Sequence, residues 1–158
     1  MIRMRNTLLA AAVIGVTQAL FVGSPAEAAP KVCKLEIAGN DLMQYDKKEL
    51  KVAGDCAEVE LTLKHTGKLP AQSMGHNWVL VNTADVNAVS SAGMAAGLKA
   101  NYVPPNDKRV LAATKVVGGG ESTTIKFGTT ALKTGGAYTY LCSFPGHSAL
   151  MKGKFTFG

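Results

Sequence analysis

The segment Cys142-Ser143-Phe144-Pro145-Gly146-His147-Ser148-Ala149-Leu150-Met151 sets a thiol, an imidazole and a thioether at Cys-x4-His-x3-Met spacing near the C-terminal end. Donors so close in sequence converge only in a tight loop, and this loop holds a single imidazole. A second must arrive from far upstream, where Gly75-His76-Asn77 offers one. The fold is therefore obliged to bring residues near 76 against residues near 142. A cysteine thiolate and two imidazoles in a plane, with a long axial thioether, serve both oxidation states of copper, so this donor set suits an electron-carrying copper site.

The first residues belong to a different problem. Arg3 and Arg5 precede a mainly apolar run from Leu8 to Val22, followed by Ala26-Glu27-Ala28, which is the pattern of a secretory signal peptide. The run is broken by Thr17 and Gln18 and falls short of the roughly 20 residues a spanning helix needs, so a retained membrane anchor is the weaker reading. Cleavage after Ala28 is expected, leaving one domain over 29–158 in an exported protein. Loss of Arg3, Arg5 and Glu27 would take one unit from the whole-chain charge of +6. Apart from Lys47-Lys48 the basic residues are scattered rather than gathered into a nucleic-acid stripe, so they either solvate strand faces or steer an acidic partner.

Three cysteines in an exported chain leave one over after pairing. Cys33 and Cys56 are the natural pair, and closing their loop would contribute roughly 3 kcal/mol. Cys142 is then the odd thiol, which persists in an oxidising compartment if a metal holds it as thiolate.

Side chains alternate along Val32–Ile37 and through Val59, Leu61 and Leu63, and again at Ile125 with Phe127 and Phe155 with Phe157, the period of half-buried strands. Trp78-Val79-Leu80-Val81 is apolar throughout and reads as a central strand covered on both faces; Ala137–Leu141 is a second. Gly39-Asn40, Gly54-Asp55, Gly67, Gly118-Gly119-Gly120 and Gly135-Gly136 read as turns. Many short strands with frequent turns predict an all-β Greek-key sandwich. Ala84–Ala96 is Ala-rich without strand alternation and meets Gly97 before Pro104-Pro105, so a short external helical flap is expected there, with Thr83 as N-cap.

Within the ligand loop Pro145 fixes its own φ and restricts Phe144, making the loop stiff before metal binds. Met151 is expected as the axial ligand rather than a core methionine, and Gly75, lacking Cβ, can bring its carbonyl close on the opposite side. The backbone N–H groups of Asn77 and Phe144 are expected to donate to the Cys142 sulfur, and the Asn77 side chain to tie the two loops together. His65 reads as a core or loop histidine satisfying a local hydrogen bond, with a pH-sensitive role beside the redox site as the alternative.

The stretch Met74-Gly75-His76-Asn77-Trp78-Val79-Leu80 and the block from Cys142 through Gly146-His147 to Met151-Lys152-Gly153 resemble the azurins, type 1 blue copper proteins of the cupredoxin class. The likeness extends through Gly39-Asn40-Asp41, Met43-Gln44-Tyr45, His65-Thr66-Gly67, Leu69-Pro70 and the Cys33 and Cys56 pair. It implies an eight-stranded Greek-key, cupredoxin-like sandwich with an external helical flap, and a monomer that binds one copper ion. The expected ligands are His76, Cys142, His147, axial Met151 and, weakly, the Gly75 carbonyl. It further implies a periplasmic, non-enzymatic shuttle of single electrons between redox proteins such as c-type cytochromes or a periplasmic reductase or dehydrogenase. Met43, Leu69, Met74, Met94, Phe144, Pro145 and Ala149 would form an apolar docking patch around His147.

Two other functions use the same residues. A copper storage or delivery protein would want an open, exchangeable site; a thiol enzyme would use Cys142 as nucleophile with His147 or His76 as base, yet no orienting acid or oxyanion motif accompanies them. Zinc could occupy the same donors but has no redox chemistry.

Overall fold

The computed structural model describes residues 29–158, so the expected signal peptide lies outside the described residues. In chain order the strands are β1 (Val32–Asn40), β2 (Gln44–Tyr45), β3 (Glu49–Val52), β4 (Glu58–His65), β5 (Val79–Asn82), β6 (Val110–Ala113), β7 (Ser122–Gly128), β8 (Tyr138–Leu141) and β9 (Lys152–Phe157). They form two packed sheets, ordered β2-β1-β4-β7 and β3-β9-β8-β5-β6. The fold is the expected sandwich, with nine strand segments instead of eight. The extra one arises because the chain changes sheets at Asp46–Lys48: β2 pairs antiparallel with β1, whereas β3 runs parallel beside β9. Asp46 holds the crossing by donating its backbone N–H to the Ala38 carbonyl (2.9 Å) while its carboxylate accepts the Ala38 N–H (2.8 Å).

The alternation seen in the sequence is the alternation of burial. Val59, Leu61 and Leu63 of β4 are fully buried with Ile37 of β1 and Phe155 of β9, and Trp78, Leu80 and Tyr140 fill the space between the sheets. Each such side chain stabilises the fold by roughly 1.5–3 kcal/mol. On the outer face of the first sheet the intervening residues pair across strands: Lys34 with Glu60 (3.1 Å), Lys126 with Glu60 (3.4 Å), Lys64 with Glu36 (2.7 Å) and Thr62 with Thr124 (2.8 Å). These exposed pairs contribute little stability individually; they solvate a sheet face.

β5 lies inside the second sheet, between β8 and β6, and is covered on both faces. Trp78 and Leu80 point into the main core, while Val79 and Val81 join Leu141 and Val89 in a smaller cluster under the flap. Two helices follow the strands' connections, α1 (Ala71–Met74) and α2 (Val86–Ala96). α1, a single turn, was not expected from the sequence pattern. The flap differs from expectation at its start: Thr83–Asp85 form a 3-10 turn and no side chain caps α2. The Thr83 hydroxyl instead bonds the Thr139 hydroxyl at 2.9 Å, so a cross-strand partner outcompetes the cap. Gly97, at φ 74°, ends α2 by turning its N–H back to Gly93 and Met94.

Gly39 also departs from its expected role. It lies in β1 rather than in a turn, and a Cβ there would sit 2.6 Å from the His76 ring and 3.1 Å from the Met151 methyl. The glycine supplies space, not backbone freedom.

Cys33 and Cys56 form the expected disulfide, with Cα atoms 5.8 Å apart. It fastens the start of β1 to the residues leading into β4. The double variant Cys33→Ser/Cys56→Ser is expected to lose roughly 3 kcal/mol of unfolding free energy, read as a lowered urea midpoint with an m-value no smaller than the parent's, because the unlinked denatured chain is more expanded.

Candidate metal centre

The antiparallel register of β5 and β8 pairs Val79 with Leu141 at the end of the ladder. His76 precedes β5 and Cys142 follows β8, so both leave the same end of this strand pair. The pairing is carried further by a side chain: the Asn77 amide accepts the Ser143 N–H (2.9 Å) and donates to the Ser143 hydroxyl (2.8 Å). This is the tie between the two loops expected from the sequence. His76 is held from the other side by a two-bond bridge to Val117.

The loop from Cys142 to Met151 closes on itself. The Cys142 N–H donates to the Met151 carbonyl (2.9 Å), that of Met151 to His147 (2.8 Å), and that of His147 to Phe144 (3.0 Å). Gly146, at φ 81°, makes the reversal that Pro145 cannot, and the Phe144 ring lies 4.5 Å from that of His147. As a result the ligand atoms of His76, Cys142 and His147 all fall within 4.8 Å of one another, and all three residues are buried. Nδ1 of His76 and Nδ1 of His147 are 3.3 Å apart, and the Cys142 sulfur is 3.6 Å from the latter.

Hydrogen bonds orient these atoms. His76 donates its Nε2–H to the Asn40 carbonyl (2.9 Å), which leaves the Nδ1 lone pair facing the other donors. Burial pushes the His76 ring below its ordinary value and His147 down to about 4, with the other histidines adding to the effect on His147. Both imidazoles are thus neutral at pH 7, the form that ligates. Burial pushes the Cys142 thiol up to about 12, opposed by the N–H groups of Asn77 and Phe144 aimed at its sulfur. One sulfur and two imidazole nitrogens, dry and convergent, fit a copper ion, whose charge would stabilise the thiolate that burial disfavours.

Met151 is fully buried, with its methyl close to the Gly39–His76 contact. Gly75 is constrained by packing: a Cβ would sit 2.4 Å from the Ala71 carbonyl and 2.5 Å from Val116. The residues named for a docking patch are mixed in character. Leu69 and Met94 are 43% and 42% exposed, Pro145 and Ala149 are exposed, Met43 and Met74 are half-buried, and Phe144 is only 7% exposed.

His65 is the buried histidine with local hydrogen bonds that the sequence suggested, donating from Nε2 to the Met74 carbonyl (2.8 Å) and accepting the Gly67 N–H at Nδ1 (3.0 Å). Sequence reading missed the stacking of its ring on His76, 4.2 Å between centroids, and two exposed side chains. Leu42 and Leu150, 70% and 56% exposed, are the most exposed large apolar side chains among the described residues.

The family model described as copper binding proteins, plastocyanin/azurin family, matches residues 31–158. Azurin of Bordetella pertussis is 55% identical over 121 residues, which is 77% of this chain and 81% of the relative. Azurin of Pseudomonas aeruginosa strain PAO1 is 46% identical over 124 residues, 78% of this chain and 84% of the relative. Among solved structures, an azurin (Az-iso2) from Methylomonas sp. strain J superposes with a TM-score of 0.77 at 43% identity, covering 80% of this chain and 98% of that one.

The depressed histidine values link pH to stability. Between the ordinary value of 6.5 and about 4 for His147 the unfolded chain takes up protons that the folded, metal-free protein excludes. Stability is therefore full above about pH 6.5 and falls as pH drops through this window. Urea midpoints of the metal-free protein at pH 7.5, 5.5 and 4.5 should decline steadily, and His147→Phe should flatten the decline.

Proposed function

The chain belongs to the plastocyanin/azurin family of copper-binding proteins, and from that premise we propose that it carries single electrons between redox proteins in the periplasm. It is a blue copper electron-transfer protein; the compartment, the partners and the individual ligand roles are our reading. When bound, copper supplies the one-electron couple, cupric to cuprous and back. His76, Cys142 and His147 would hold it, with the Met151 thioether and the Gly75 carbonyl as weaker donors.

The observation that carries the reading is the convergence of three buried donors from two separate, stiffly hydrogen-bonded segments. A rigid set of donors rearranges little between oxidation states, which suits electron transfer, whereas storage or delivery wants an exchangeable site. The thiol-enzyme alternative lacks support for the same reason: a sulfur fully buried and held near pKa 12 is a poor nucleophile. The Asn77 and Phe144 N–H groups stabilise the thiolate and thereby tune the potential.

His147 is 2% exposed where the other donors are 0%, so it is the ligand nearest solvent. We read Leu69, Met74, Pro145 and Ala149 as the apolar surface around it, and add to these the exposed Leu42 and Leu150. Partners such as c-type cytochromes or a periplasmic reductase or dehydrogenase would dock an apolar surface here. Met side chains accommodate different surfaces, so the contact is weak and exchanges quickly.

Two measurements test this. Cys142→Ser should abolish the intense visible charge-transfer band of the copper-loaded protein; a band that survived would remove Cys142 from the site. Met74→Lys should slow electron self-exchange by about tenfold at low ionic strength, because like charges then face each other across the contact, and the loss should shrink as salt is added. Self-exchange unaffected by that charge would sink the docking proposal.

A further inference from the structure

Two consecutive residues, Asn101 and Tyr102, have left-handed backbone at φ 55° and φ 53°. Asparagine tolerates this conformation; a tyrosine in it is uncommon. Such strain persists only where surrounding contacts over-determine it, and the contacts lead to the metal centre. The Asn101 carbonyl accepts from the Asn77 amide at 2.7 Å, and the Tyr102 carbonyl accepts from the Ser143 hydroxyl at 2.6 Å. Asn77 and Ser143 are both fully buried and are themselves joined by two hydrogen bonds. One follows His76 directly and the other follows Cys142.

The backbone conformation explains how a single short segment serves both. Successive residues in an extended chain point their carbonyls in opposite directions, while successive residues of like helical conformation point them the same way. Two left-handed residues can therefore present adjacent carbonyls to adjacent partners. The Asn101 side chain adds a third link, its Oδ1 accepting the Val116 N–H at 3.0 Å, next to Val117, which bridges His76. The Tyr102 ring packs edge-on against Phe144, centroids 5.0 Å apart.

We propose that Asn101 and Tyr102 are positioning residues of the metal centre: their paired left-handed carbonyls clamp Asn77 and Ser143, and so aim the peptide N–H groups of Asn77 and Phe144 at the Cys142 sulfur. The inference rests on the copper reading for its consequence but not for its geometry, which exists in the metal-free chain.

The test uses both forms of the full protein. Asn101→Ala removes the bond to Val116 and puts an alkyl side chain at a left-handed position; Asn101→Asp keeps an acceptor and tolerates that backbone. In the metal-free protein, hydrogen exchange at the Val116 and Ser143 amides should quicken about tenfold in Asn101→Ala and return toward the parent rate in Asn101→Asp. With Cu(II) bound, the charge-transfer maximum and the reduction potential should shift in Asn101→Ala and recover in Asn101→Asp. Asn106→Gly is the control, since Asn106 is also left-handed (φ 58°) but bonds neither ligand segment; it should change stability alone. If Asn101→Ala does not fold, Ser143→Ala, which deletes only the hydroxyl between Tyr102 and Asn77, should produce the same spectral shift. Parent-like exchange and spectrum in a folded Asn101→Ala, or an equal spectral shift in Asn106→Gly, would overturn the proposal. A parent protein without the band would count against the copper reading and leave the exchange measurement to decide this one.

Discussion

The antiparallel pairing of β5 with β8 is the constraint on which the site depends. Its register fixes where His76 and Cys142 emerge, and a slip of one residue would turn every side chain of one strand to the opposite face. Both faces oppose such a slip. Trp78, Leu80 and Tyr140 belong to the main core, and Val79, Val81 and Leu141 to the cluster under the flap. A surface strand, buried on one side only, would leave the register to half as many contacts. The Trp78 indole N–H is buried without a hydrogen-bond partner among the described residues, which costs roughly 1–3 kcal/mol. The volume filled by that ring between Tyr140, Phe127 and Phe155 is what the fold receives in return.

The same burial sets the chemistry. Dry surroundings hold both imidazoles neutral and the thiol protonated, so two of the three donors are ready to ligate and the third needs a cation to become so. Hydrogen bonds, rather than nearby charges, do the orienting: Asn40 for His76, Asn77 and Phe144 for the sulfur. A carboxylate beside the thiol would raise its pKa further and compete for the metal. The ion pairs of the first sheet are instead kept on its outer face, where Lys34, Lys64 and Lys126 meet Glu36 and Glu60.

What was legible in the sequence was what depends on local pattern. Strands followed from period-two alternation, the disulfide from cysteine parity, and the donor set from residue types at short spacing. Relations that exist only after the sheets pack were not legible. His65 ends β4 and His76 precedes β5, and nothing in their spacing announces that the rings stack; they do so because Gly39 on β1 leaves room for the His76 ring. Gly39 itself looked like a turn residue, since a glycine retained for space and one retained for φ read alike in one sequence. The division of β2 from β3 was hidden for a similar reason, as Asp46 bonds the Ala38 backbone across strands. Thr83 had the residue type of a cap and a better partner in Thr139.

The distribution of exposed apolar groups completes the physical case for the proposed role. Leu42, Leu69, Met94 and Leu150 are exposed, and each sits on a segment tied to the ligand loops. Asp41, next to Leu42, accepts the Leu69 N–H; Gly93, next to Met94, packs on Ser143; Leu150 donates its N–H to His147. These side chains gain nothing for the fold by remaining in water. Their backbones are held by these hydrogen bonds and packing contacts, so a partner settling on them would meet a surface already in its bound shape. Little ordering cost follows, which allows contacts few enough to release quickly to be specific enough to transfer an electron.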